Sequence, residues 1–197
     1  MTRRGLAIFL AGVACAAGAG ACGDDDSGPA PPTVDERTDR PARLPAGWRR
    51  VVNSLSGFTL GIPPGWSARG AQGTTLVRSG DRVLAVSITA DYSAEGRELP
   101  ADAYARRTAR SLAGYRGLRL GGARPLRGAH YPGATVTGRG TFSRTGVRQA
   151  IRVTVLRRRG QVSYSLIFFR TARVPGAAYR AAMAGMVRTF RARAPRS

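Results

Sequence analysis

The sequence predicts an α+β fold: one domain in which an antiparallel β-sheet is packed between α-helices. Three observations lead there. Residues Val147 to Phe169 read as a long β-hairpin, the centre of a sheet. On its first arm Ile151, Val153 and Val155 alternate with Arg152 and Thr154, and on its second Val162, Tyr164, Leu166 and Phe168 alternate with Ser163 and Ser165. A period of two places each set on its own face. The second arm ends apolar on both faces at Ile167, Phe168 and Phe169 and so needs cover on both sides. The following segment with helical spacing, Gly176 to Arg191, can supply one cover.

The elements follow in order. Arg50 to Asn53 is a short strand and Phe58 to Ile62 a clearer one, closed by the turn Pro63-Pro64-Gly65 before Trp66. Thr74 to Arg78 and Val83 to Ala90 are strands joined through Ser79-Gly80-Asp81. Pro100 suits a first helical turn, Asp102 the positive end of the dipole, and Gly114 the position past the end. On this helix Ala101, Tyr104, Ala105, Thr108 and Leu112 share one face and Arg106, Arg107 and Arg110 another. Leu118 to Leu126 and Ala134 to Phe142 are glycine-interrupted strands. Between the hairpin arms lie Arg157, Arg158, Arg159 and Gly160, the last able to take a positive φ. On the final helix Tyr179, Met183, Met186, Val187 and Phe190 form an apolar stripe, which reads as core.

The chain also carries an address. Thr2, Arg3 and Arg4 form a basic n-region, Gly5 to Ala14 an apolar h-region, and Ala19-Gly20-Ala21 precede Cys22. This is the layout of a secretory signal, and it resembles a bacterial lipoprotein signal, with Ala19 where the lipobox usually has Leu or Val. The resemblance implies lipid attachment at Cys22; Cys15, after Gly12-Val13-Ala14, is the competing site. An ordinary cleaved signal and an uncleaved anchor stay open, although the apolar run is short for a span of ~20 residues. Residues 1–21 are thus expected to be the signal peptide. Residues 22–46, rich in proline and acid, are expected to be a disordered tether of roughly 25–30 Å root-mean-square length. The domain is expected over residues 47–192, with a basic tail at 193–197.

Gly57-Phe58-Thr59-Leu60-Gly61-Ile62-Pro63-Pro64-Gly65-Trp66 resembles the opening strand and Pro…Trp turn of the PsbP-like superfamily, whose bacterial members include lipoproteins of the LpqN type. The resemblance runs from about Trp48 to Phe190. It implies a PsbP-like α/β/α sandwich and no particular activity, because different functions share the scaffold.

Charge gives the sharpest functional signal. All 32 basic residues are Arg and all 11 acids lie between Asp24 and Asp102; residues 1–102 also hold 11 Arg, which balance them. Residues 103–197 hold 21 Arg and no acid, which accounts for the net charge of +21. A segment of one sign is attracted to anions and is screened by salt. The tentative anion-binding residues are Arg157, Arg158 and Arg159 at the hairpin tip and Arg106, Arg107 and Arg110 on the helix, since guanidinium binds phosphate and carboxylate through a planar fork. The alternative is a solvated surface that aids solubility.

Catalysis finds little support. Cys15 and Cys22 both lie in the leader, so the domain has neither disulfide nor thiolate metal site. The lone His130 reads as a loop histidine with no acid placed beside it by sequence. Gly65-Trp66-Ser67-Ala68-Arg69-Gly70 lacks the spacing of a nucleophile elbow. Asp91, Glu95, Glu98 and Asp102 match no calcium loop, and ion pairs with helix-terminal charge explain them more simply. The chain therefore reads as a non-enzymatic, cofactor-free, metal-free accessory protein, extracytoplasmic and anchored to the membrane. Its expected partners are anionic lipid, cell-wall polymer or an acidic protein. Nucleic acid is set aside for want of a reader motif. A carrier of a small hydrophobic ligand or lipid is the alternative.

Overall fold

The computed structural model describes residues 39–71, 73–158 and 162–193. Two antiparallel sheets and three helices make up the domain. Strands β1 (Arg49–Asn53), β2 (Phe58–Ile62) and β11 (Arg191–Ala192) form a small sheet in the order β1-β2-β11. The large sheet has the order β3-β4-β5-β10-β9-β8-β6. Its members are β3 (Ser67–Ala71), β4 (Thr74–Arg78), β5 (Leu84–Asp91), β6 (Tyr115–Leu120), β8 (Gly133–Phe142), β9 (Arg148–Arg158) and β10 (Val162–Thr171). The short β7 (Arg124–Pro125) also pairs with β8. The helices are α1 (Ala94–Glu98), α2 (Ala101–Arg110) and α3 (Ala177–Thr189).

The α+β class holds, and the β9–β10 hairpin is central as its alternation predicts. Leu166 pairs with Thr154 and Ile167 with Val153, so even and odd residues part to opposite faces. On one face Val136, Ile151, Val153 and Val155 pack with Ala105 and Ala109 of α2. On the other, Leu84, Val86, Ile88, Tyr164, Leu166 and Phe168 join Phe58, Leu60 and Ile62 of the small sheet and Met183 and Met186 of α3. Phe190 is the hub of this second core. Its ring stacks on Phe58 at 5.4 Å and meets Tyr164 edge-on at 4.8 Å. The cover on this side is thus a helix together with a three-stranded sheet.

Several boundaries move. The last helix stops at Thr189 because burial of Phe190 pulls the chain into an extended conformation, φ −64° and ψ 132°, and the next two residues pair with β2. Arg193 remains tied, its N–H donating to the Gly57 carbonyl at 2.7 Å. Strand β3 escapes periodicity because Arg69 and Gly70 break it. Gly121 and Gly122 split the expected strand 118–126 into β6 and β7. The glycines of β8 have a packing reason: a Cβ on Gly140 would lie 3.2 Å from the Tyr115 ring and 3.3 Å from Leu118.

Residues 39–46 are a correction to the expected tether. Ala42 is buried, and its carbonyl accepts from the Arg50 guanidinium at 2.8 Å. The Asp39 N–H donates to the Ala192 carbonyl at 3.2 Å. This stretch is polar by composition, but few apolar atoms suffice when its backbone bonds the edge of a sheet. The signal peptide, Cys22, Arg159, Gly160 and residues 194–197 lie outside the described residues.

Candidate functional site: an arginine trough

The small sheet and α3 do not cover the whole second face of the large sheet. Beyond them lies an open trough of about 1020 Å³. Strand register builds it. Arg152 faces Phe168 of β10 and Thr137 of β8. In the next row Arg170, Ala150, Arg139 and Arg119 lie side by side across four strands. Arg148, Thr141 and Arg116 form a third row. Arg180 of α3 completes the wall, so that among the described residues seven arginines and no acid line the trough.

Arg139 and Arg119 are direct cross-strand partners. Like charges so placed repel. Among the described residues no carboxylate pairs with Arg116, Arg119, Arg139, Arg148, Arg152 or Arg180. The N-terminus of α3, at Gly176 and Ala177, opens on the same trough with no side-chain cap and no acid in its first turn. Its free N–H groups add positive potential. An anion in the trough would relieve this repulsion and meet planar donors from several directions.

The arginines singled out from sequence go elsewhere. Arg106 pairs with Asp102 at 2.7 Å and Arg107 with Glu95, on the α2 side of the sheet. Arg110 is exposed on that helix. Arg157 donates to the Leu99 carbonyl at the α1–α2 junction. Arg158 points to the opposite face, 3.7 Å from Asp39 with its side chain only 14% exposed. Alternation makes this split inevitable, so Arg157 and Arg158 do not share a projecting tip, and the acid-free half does not form a single surface. None of these five lines the trough. The signal for the trough was present in the sequence: Arg148 and Arg152 occupy the face that Ile151 and Val153 do not.

Of the four acids grouped by sequence, Asp91, Glu95 and Asp102 are engaged in structural bonds. Asp91 accepts from Ser93 N–H at 2.9 Å and from the Tyr104 hydroxyl at 2.5 Å. Burial raises its pKa, but these hydrogen bonds outweigh it and leave the carboxyl below its ordinary value. Among the described residues no three His, Cys, Asp or Glu side chains are grouped as a metal site would need. His130 does have an acid beside it, contrary to expectation: Asp39 lies 3.5 Å from its Nε2. Asp39 also accepts from the Tyr131 hydroxyl, which in turn accepts from the Ala192 N–H at 2.6 Å. Burial first, and then Asp39, hold the Tyr131 phenol well above its usual pKa, so it remains a donor. Neither His130 nor Asp39 lines the trough, and the cluster fastens residues 39–44 to the domain.

A smaller slot of about 220 Å³ lies next to the trough, against α3. Leu126, Ala184 and Val187 line it, and Arg152, Phe168 and Met183 line both spaces.

No family model matches the chain, and no curated protein matches it in sequence. Solved structures do share its fold. A crystal structure from Bacteroides thetaiotaomicron is similar at a TM-score of 0.51 and 12% identity, covering 75% of this chain; the chain spans about half (49%) of that one. The Ran-binding protein Mog1p of Saccharomyces cerevisiae is similar at 0.50 and 11% identity, over 73% of this chain and 94% of that one. LpqN of Mycobacterium tuberculosis, described as involved in cell envelope biogenesis, gives 0.47 and 12% identity, over 73% and 88%. The likeness to the first two shows a Mog1-like fold.

Proposed function

We propose that the chain is an exported, membrane-anchored, non-catalytic binding protein of the cell envelope whose trough holds an anionic partner. The observation that carries this reading is a trough lined, among the described residues, by seven arginines and no acid. Evolving such a wall has a cost in repulsion, which a bound anion offsets. The concavity favours a ligand that enters over a flat bilayer surface. The leader supports export, and Cys22 is the residue we assign to the anchor. Carriage of a small hydrophobic ligand is the second reading, supported by the slot under α3.

The test measures binding of inorganic polyphosphate to the full chain. Affinity should fall steeply as salt rises. Arg139→Gln with Arg148→Gln should weaken it about tenfold or more, since hydrogen bonds to charged groups contribute ~1.5–3 kcal/mol each. Replacing Arg106, Arg107 and Arg110 together by Gln should change it little. Equal losses from both sets would leave only diffuse attraction. For the anchor, Cys22→Ser should release the protein from the membrane fraction; release by Cys15→Ser instead would reassign the lipid.

A further inference from the structure

We infer that the trough and the slot are one composite site for a single-chain amphiphile with a phosphate head. The inference rests on the anion-binding reading of the trough and adds the apolar part of the ligand. The head would sit among Arg139, Arg148 and Arg152, and the alkyl chain would run beneath α3.

Three observations join the two spaces. Arg152 and Phe168 are direct cross-strand partners and both line trough and slot. A guanidinium beside an aromatic face marks the junction of a polar and an apolar compartment. The slot wall beyond it includes Leu126, Met183, Ala184 and Val187, with Arg127 and Arg188 also lining it. The two threonines that also line it have their polarity met internally: the Thr135 hydroxyl donates to the Val153 carbonyl at 3.1 Å and lies 3.4 Å from the Thr154 hydroxyl. Leu126, Phe168, Met183, Ala184 and Val187 then offer hydrocarbon to a ligand, beside the arginines that share the lining.

Size narrows the occupant further. At about 220 Å³ the slot falls below the ~300–1,000 Å³ common for drug-sized ligands. It suits a short alkyl chain, or the end of a longer one, and is too small for both chains of a diacyl lipid. Charge complementarity selects the head: Arg139, Arg148 and Arg152, three of the seven arginines lining the trough, suit a dianion better than a neutral or cationic group.

The experiment titrates the full chain with methyl phosphate, octyl phosphate and octyl glucoside, all below micelle formation, by calorimetry or ligand-observed NMR. Octyl phosphate should bind about tenfold or more tighter than methyl phosphate, because buried methylenes add to the same head contact. Octyl glucoside should show no saturable binding. Ala184→Phe should remove the advantage of the octyl chain while leaving methyl phosphate unchanged, the latter also proving that the variant is folded. Ala184→Leu, a smaller intrusion, should do the same in lesser degree. Arg139→Gln with Arg148→Gln should weaken both phosphates. Equal affinities for the two phosphates would overturn the composite site and leave the trough as an anion site. An octyl advantage that survives both Ala184 variants would overturn it equally. Absence of binding by either phosphate would remove the anion reading together with it.

Discussion

On one face of the large sheet, Val136, Ile151 and Val153 lie sealed under Ala105 and Ala109 of α2. On the other, the same strands β8 and β9 turn Thr137, Arg139, Arg148 and Arg152 toward an open trough. Backbone and register are shared, so the contrast lies wholly in what the alternate residues are and in what covers them. The sealed face uses small residues to bring a helix close. The open face spaces cations at strand intervals, with no acid among the described residues that line it. Core geometry thus fixes where the arginines stand, and among the described residues no second element covers them.

The largest effect expected breaks the half of the second face that is covered. Phe190→Ala removes the ring shared by Phe58, Tyr131 and Tyr164. It should cost ~3–5 kcal/mol of stability, measured by urea denaturation. A cost under about 1 kcal/mol would mean that the small sheet and α3 are not one unit with the large sheet.

A smaller effect sharpens the difference between arginines that hold structure and arginines that do not. Arg157→Ala loses the hydrogen bond to Leu99 and should cost about 1 kcal/mol. Arg139→Ala in the trough should stay within about 0.5 kcal/mol, or stabilise slightly at low salt through relief from Arg119. The same denaturation curves decide; equal losses at both positions would erase the distinction.

The smallest effect is on acid stability, at the edge where α1 and α2 begin. The folded-state pKa of Asp91 is depressed, so its contribution is fully present above the unfolded value of about 3.9 and is lost as pH falls through the lower folded value. The melting temperature should therefore drop below about pH 4, and Asp91→Asn should flatten that drop. An unchanged pH profile in the variant would assign acid sensitivity to other carboxylates, such as Asp81, whose pKa is also lowered: burial opposes the shift, but bonds from Ser79, Tyr179 and Val83 prevail.

What the sequence determined by itself were the features carried by local periodicity. Ile151-Arg152-Val153-Thr154-Val155 announces a strand and its two faces, and Tyr179 to Phe190 announces a buried helical stripe, because neighbours a few residues apart set the pattern. Composition gave the acid-free half, and from it the expectation of an anion. It could not say which arginines meet. Arg157 and Arg158 are adjacent in the chain and end on opposite faces, while Arg119 and Arg139, twenty residues apart, stand opposite each other. Likewise only tertiary structure brings Asp39 to His130 and Tyr131, and turns Phe190 out of its helix into the core. Such contacts depend on strand order and on which part of a face remains uncovered, and neither leaves a trace in the spacing of residues along the chain.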